Sequence, residues 1–234
     1  MENNEEHFVN HEKSRPKQKD WLTGISIISL VLAVIMLIAM TNFPSFFLTG
    51  IILGLAAAAL DFVMEYKGIR RREWGYTSNK FSLMNVPLQL PILFFSTGVA
   101  VAFLLDIYIQ PMLHFDFFTL AAEPVGFVQF ILLLVGGYFF VLYMAGKTRA
   151  LLLGTLPIGL AVYLWFPEPW FLVLSLIPVY LDYYLERRMT RTGEITYEGY
   201  DQEMAVNIAL CYFPMAVLLF SSAILLNNWL AGFV

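Results

Sequence analysis

Long apolar runs constrain this chain more than any other feature. They fall at 21–41, 44–66, 82–106, 125–146, 150–166, 168–186 and 204–232 of the 234 residues. A helix needs about 20 apolar residues to cross the hydrocarbon of a bilayer, so the runs predict seven transmembrane helices. Composition agrees: 59% of the residues are hydrophobic and only 14% charged, against roughly a quarter charged in an average soluble domain. The expected fold class is an all-α integral membrane protein.

Basic residues orient the spans, because Lys and Arg near span ends stay on the cytoplasmic side. Lys13, Arg15, Lys17 and Lys19 precede the first run. Lys67, Arg70, Arg71, Arg72 and Lys80 lie between runs two and three, Lys147 and Arg149 between four and five, and Arg187, Arg188 and Arg191 between six and seven. The alternate connections contain no Lys or Arg. This pattern places the N-terminus in the cytoplasm and the C-terminus outside, which an odd number of spans requires. The location is the cell membrane, multi-pass.

The first twenty residues, polar and of mixed charge, read as a disordered tail. The run that begins at Trp21 exceeds the length of a signal-peptide core and is expected to remain as a helix. A single cysteine, Cys211, excludes an intrachain disulfide. The net charge of −4 and the acids interspersed among the basic loops leave no nucleic-acid footprint. His114, Asp116 and Glu123 lack convincing metal-ligand spacing, so no metal ligand is assigned among them, and the sequence leaves any cofactor unknown. The absence of a lysine within a span excludes a retinal Schiff base.

Residues 60–76, LDFVMEYKGIRRREWGY, and 181–197, LDYYLERRMTRTGEITY, share a register. Leu60, Asp61, Glu65, Arg70, Glu73 and Tyr76 match Leu181, Asp182, Glu186, Arg191, Glu194 and Tyr197 without a gap. Charged identities at that density in so apolar a chain indicate an internal repeat. Asn85 and Pro91 correspond to Asn207 and Pro214 if one or two residues are inserted. Spans one to three therefore repeat as spans five to seven in the same orientation, with span four as linker: a parallel 3+1+3 arrangement. The expected organisation is a tail at 1–20, a first three-helix repeat at 21–106, an outer loop at 107–124, a linker helix at 125–146 and a second repeat at 147–234.

Asp61 with Glu65, and Asp182 with Glu186, stand four residues apart on one helix face, where like charges repel by a few tenths of a kcal/mol. An unfavourable pair kept twice suggests a compensating cation: a metal ion, a proton, or the guanidinium groups of Arg70 and Arg191. Ionisable residues within spans are functional candidates, which makes the four acids the candidate catalytic groups. The structural alternative is that acids near a span end reach the interface and pair with the basic loops.

Around EWGYTSNKFSLMNVPLQLPILFF the sequence resembles the membrane lycopene cyclases of carotenoid biosynthesis, of the small-subunit or fused type. The likeness rests on Asp61 in the second span, Trp74 and Tyr76 in the following turn, Pro87 and the ILFF run. The second half echoes it with Asp182, Tyr197 and NIALCYFPMAVLLF. The resemblance implies two homologous three-helix units with an isoprenoid or carotenoid between them. Together with the repeat and the polar helix ends, it makes Arg70, Arg191, Trp74, Tyr76, Tyr197, Asn85, Gln89 and Asn207 the candidate substrate-binding residues. It also implies acids where the third span opens. This chain has Gln89 and Cys211 there, and neither can protonate an alkene. The expected function is binding or modification of an isoprenoid or other apolar lipid, without conversion of lycopene to β-carotene. A small transporter of 3+1+3 type and a non-catalytic membrane scaffold are the alternatives, and membrane lipids are the expected surroundings.

Overall fold

A computed structural model describes residues 21–72, 74–76, 81–109, 127–144, 150–165, 169–197 and 202–233. Among these the chain is mostly helical, with seven α-helices: α1 (Trp21–Ala39), α2 (Pro44–Arg70), α3 (Gln89–Leu104), α4 (Phe127–Met144), α5 (Ala150–Trp165), α6 (Pro169–Thr192) and α7 (Gln202–Ala231). Three helical segments, Trp21–Asn42, Pro44–Arg70 and Gln89–Ile107, are long and apolar enough to cross a membrane, and Met215–Ala231 is a shorter apolar stretch. Their outward faces suit lipid: Ile27, Ile28, Val31, Leu32, Ile35 and Ile38 of α1 are all exposed. The tail and most of the outer loop expected at 107–124 lie outside the described residues.

Two small antiparallel ribbons accompany the helices, which an all-α expectation did not include. Strands β1 (Trp74–Tyr76) and β4 (Ile195–Tyr197) pair with each other, and β2 (Ser82–Leu83) pairs with β3 (Val86–Pro87). The second ribbon corrects the third expected span. That span was to begin at residue 82, but 82–87 form a hairpin and the helix starts at Gln89. The turn residues Met84 and Asn85 take left-handed φ angles of 53° and 68°, a conformation no L-residue helix continues through.

Packing follows the chain order. Helix α2 packs on α3, α1 on α3, α4 on α5, α6 on α7 and α5 on α7, while α2 also meets α7. Gly54 and Gly98 mark the α2–α3 crossing: a Cβ added to Gly98 would come within 2.6 Å of the Gly54 nitrogen. Small residues that let two backbones touch are the usual means of helix association in lipid, where burial of apolar surface gives little net drive. One buried cluster joins α1, α2, α3 and α7 through Ala33, Met40, Phe46, Leu53, Val99, Phe220 and Ile224.

A second cluster closes the opposite end of the bundle. Leu22 of α1, Leu90 of α3, Met189 of α6 and Ile195 of β4 are buried there against Trp74 and Tyr76. The N-terminal ends of α1 and α3 thus meet the C-terminal ends of α2 and α6. Lys67, Arg70, Arg71, Arg72, Arg187, Arg188 and Arg191 lie within the last two turns of α2 and α6 or just beyond them, and they are all the lysines and arginines among the described residues. Arg188 is held inward by stacking, its guanidinium 3.9 Å from the centre of the Trp21 ring.

The two helix ends are built alike. Helix α2 turns at Arg72 (φ 60°) and α6 at Gly193 (φ 71°). The Arg72 amide donates to the Ile69 carbonyl at 3.0 Å, and the Gly193 amide to the Thr190 carbonyl at 3.1 Å. Each pair of equivalents is separated by 121 residues, as are Gly75 and Thr196, whose contact bridges the ribbon. In that ribbon Trp74 pairs with Tyr197, Gly75 with Thr196 and Tyr76 with Ile195. The register maps onto itself when residues 121 apart are exchanged.

Candidate functional site

The turn after α2 sends the chain back along the helix it has just left. Gly68 makes the return possible, because the Trp74 indole lies directly against its Cα and any Cβ would overlap the ring. From there the indole Nε1 donates to Glu65 Oε2 at 2.7 Å, and the Tyr76 hydroxyl donates to the same oxygen at 2.9 Å. Two neutral donors on one carboxylate oxygen fix the carboxylate without cancelling its charge.

Asp61, one turn earlier, is 6% exposed, and its Oδ2 has no hydrogen-bond partner. It lies within electrostatic reach of Glu65. The second half contributes Asp182 and Glu186 from α6. Glu186 is buried and interacts electrostatically with Glu65 across the two halves. Asp182 interacts with Glu186 and Glu65 and accepts a hydrogen bond from the Tyr212 hydroxyl, leaving its Oδ2 buried and unpartnered. The four acids therefore form one cluster drawn from both copies of the repeated segment.

Tyr212 was not singled out from the sequence, yet it faces all four acids. Its ring sits 6.0 Å from that of Phe94, so it ties α7 to α3 as well as to α6. The available sign was chemical: a phenol inside an apolar span must find a polar partner. Glu194, buried at the end of α6, accepts from the Thr192 hydroxyl at 3.3 Å and is a further acid of this end.

Several expected ligand contacts lie elsewhere. Arg70 is exposed, donates from Nη1 to the Tyr66 hydroxyl at 3.0 Å and leans over that ring. Arg191 is exposed in the last turn of α6. Asn85 sits in the exposed turn of the β2–β3 hairpin. Gln89 is buried and donates from Nε2 to the Thr23 hydroxyl at 2.9 Å, tying α3 to α1, while its Oε1 has no partner. The side chains of Tyr197, Asn207 and Cys211 lie outside the described residues; only their backbone places in β4 and α7 are given.

The cluster combines two buried carboxyl oxygens without partners, a carboxylate fixed by two donors, and aromatic walls from Trp74, Tyr76, Tyr212 and Phe94. Such a set can exchange protons with a bound molecule or stabilise positive charge developing on it. Among the described residues, no group of three or more His, Cys, Asp or Glu is arranged to hold a metal ion. Compared with known proteins, the chain matches no family model, no curated protein and no solved structure.

Proposed function

We propose that the chain is a multi-pass protein of the cell membrane that binds or modifies an isoprenoid or other apolar lipid between two three-helix halves. In this reading seven spans form a parallel 3+1+3 repeat, with the N-terminus in the cytoplasm and the C-terminus outside. The matching turns at Arg72 and Gly193 and the self-mapping register of the β1–β4 ribbon support the repeat. The gathering of the described basic residues at one end supports the orientation.

One observation carries the functional part: Asp61, Glu65, Asp182 and Glu186 converge from both halves on Tyr212. Asp61 and Asp182, with free oxygens, are the groups that would hand protons to a ligand. Glu65, fixed by Trp74 and Tyr76, would hold charge in place. The resemblance to membrane lycopene cyclases supplies the ligand class. Gln89, bonded to Thr23, takes the place of one family acid and serves as a strut between helices, so cyclisation of lycopene is not the expected reaction.

Expression in a lycopene-accumulating bacterium, followed by pigment and lipid extraction of the purified protein, tests the proposal. The expected result is linear lycopene with an isoprenoid or apolar lipid co-purifying. Cyclic end groups would overturn the exclusion of cyclisation, and a protein free of apolar ligand would overturn the binding reading. Transport remains the second reading because Thr49 Oγ1, Ser221 Oγ and Asn227 Oδ1 are buried without partners on α2 and α7, away from the acids. Polar groups at two levels of one helix interface are what a passage across the bundle would use.

A further inference from the structure

Residues 81–88 play no part in the acid cluster, yet their geometry is strongly specified. Ser82 and Leu83 pair with Val86 and Pro87, and the Leu88 amide closes the loop on the Phe81 carbonyl at 3.0 Å. Left-handed φ angles at both Met84 and Asn85 give the two-residue turn that suits a tight hairpin. Asn tolerates that conformation, whereas Met at positive φ is uncommon. A long apolar side chain is thus held at the tip where glycine would be easier to accommodate.

The hairpin has two sides. Val86 and Pro87 are fully buried, and β3 rests on α2 and α3. On the other side Phe81 is 65% exposed, Leu83 52% and Met84 63%, with Leu88 at 38%. Leaving such apolar surface in water forgoes the gain that burial in an apolar medium would bring. The loop ends one residue before Gln89, where a helix apolar enough to span a membrane begins. The exposed Arg70 and Arg72 lie at the end of α2, on the other side of the same connection.

An apolar tip at the mouth of a span, with exposed arginines at the same end of the helix it packs on, matches an interfacial segment whose apolar part enters the acyl boundary while cations meet phosphates. We infer that the 81–88 hairpin is an interfacial anchor, seated in the leaflet from which α3 departs and held there by anionic phospholipid at Arg70 and Arg72. This rests on α2 and α3 crossing the bilayer and is independent of what the acid cluster binds. The positive charge of the flanking arginines selects anionic lipid as the occupant over an acyl surface alone.

The test uses the full chain with Cys211→Ser and one new cysteine, Met84→Cys or Thr196→Cys, carrying an environment-sensitive NBD dye. Thr196 is exposed on the other ribbon and serves as the aqueous reference. In nanodiscs of phosphatidylcholine with phosphatidylglycerol, iodide should quench the dye at 84 about fivefold less than at 196, and doxyl-labelled lipids should quench it strongly. Pure phosphatidylcholine discs, or Arg70→Gln with Arg72→Gln, should raise iodide access at 84 about twofold. Equal iodide quenching at 84 and 196 would place the hairpin in water and overturn the anchor. Identical quenching with and without anionic lipid would overturn the role of the arginines.

Discussion

Glu65 takes both of its described hydrogen bonds on a single oxygen, and the consequence can be measured residue by residue. Trp74→Phe or Tyr76→Phe removes one of the two donors on the Glu65 oxygen, at a cost of about 1 kcal/mol. Together they should cost more than the sum, because the last donor is then lost. Thermal unfolding in nanodiscs is the readout, at roughly 2–4 °C per kcal/mol for a chain of this size. Gly68→Ala should be as damaging as losing the indole, since a methyl there displaces Trp74 from its seat. Equal stability of Gly68→Ala and the parent would show that the indole does not rest on α2. At this scale the acids and Tyr76 stood out through the repeated segment, and Trp74 through the family resemblance. The bonds from Trp74 and Tyr76 to Glu65 could not, because they depend on the chain doubling back at Arg72, and Arg in a left-handed turn leaves no mark in a sequence. Its equivalent Gly193 does, which is why the second copy is the more readable of the two.

Among the elements, the β1–β4 ribbon matters most, since it holds the two acid-bearing helices together. Gly75 and Thr196 stand directly opposite each other in the ribbon, which brings side chains at the two positions within reach of each other. Gly75→Cys with Thr196→Cys, in a Cys211→Ser background, should therefore close an intramolecular bond on mild oxidation. Failure to cross-link, with folding intact, would break the ribbon and the convergence that depends on it. The helices were legible because apolar runs of span length have few other solutions. The ribbon was not, because three-residue strands carry too little pattern and their partners are 121 residues apart. Residues 82–87 were absorbed into a helix for the related reason that FSLMNVP is apolar enough to extend a span. Only the pair of left-handed residues at Met84 and Asn85 separates hairpin from helix there.

For the molecule as a whole, the proposed orientation rests on the basic residues, and cysteine accessibility checks it. A cysteine at Ser78 should be labelled only from the cytoplasm and one at Ala122 only from outside; labelling of both from one side would contradict the seven-span repeat. Exchange of the halves leaves one informative asymmetry. Gly68 with Trp74 in the first half corresponds to Met189 with Ile195 in the second, a swap that replaces an indole on a glycine with two aliphatic side chains and gives only Glu65 an indole donor. In the proposed reading the two acid pairs are unequal members of one ligand site. Native mass spectrometry of the apolar lipid carried by the parent, Asp61→Asn, Asp182→Asn and the double variant tests it most directly. If both acids serve one bound molecule, each single change should remove most of the lipid adduct and the double change should add little. Independent, additive losses from the two halves, or an adduct unchanged in the folded double variant, would contradict it.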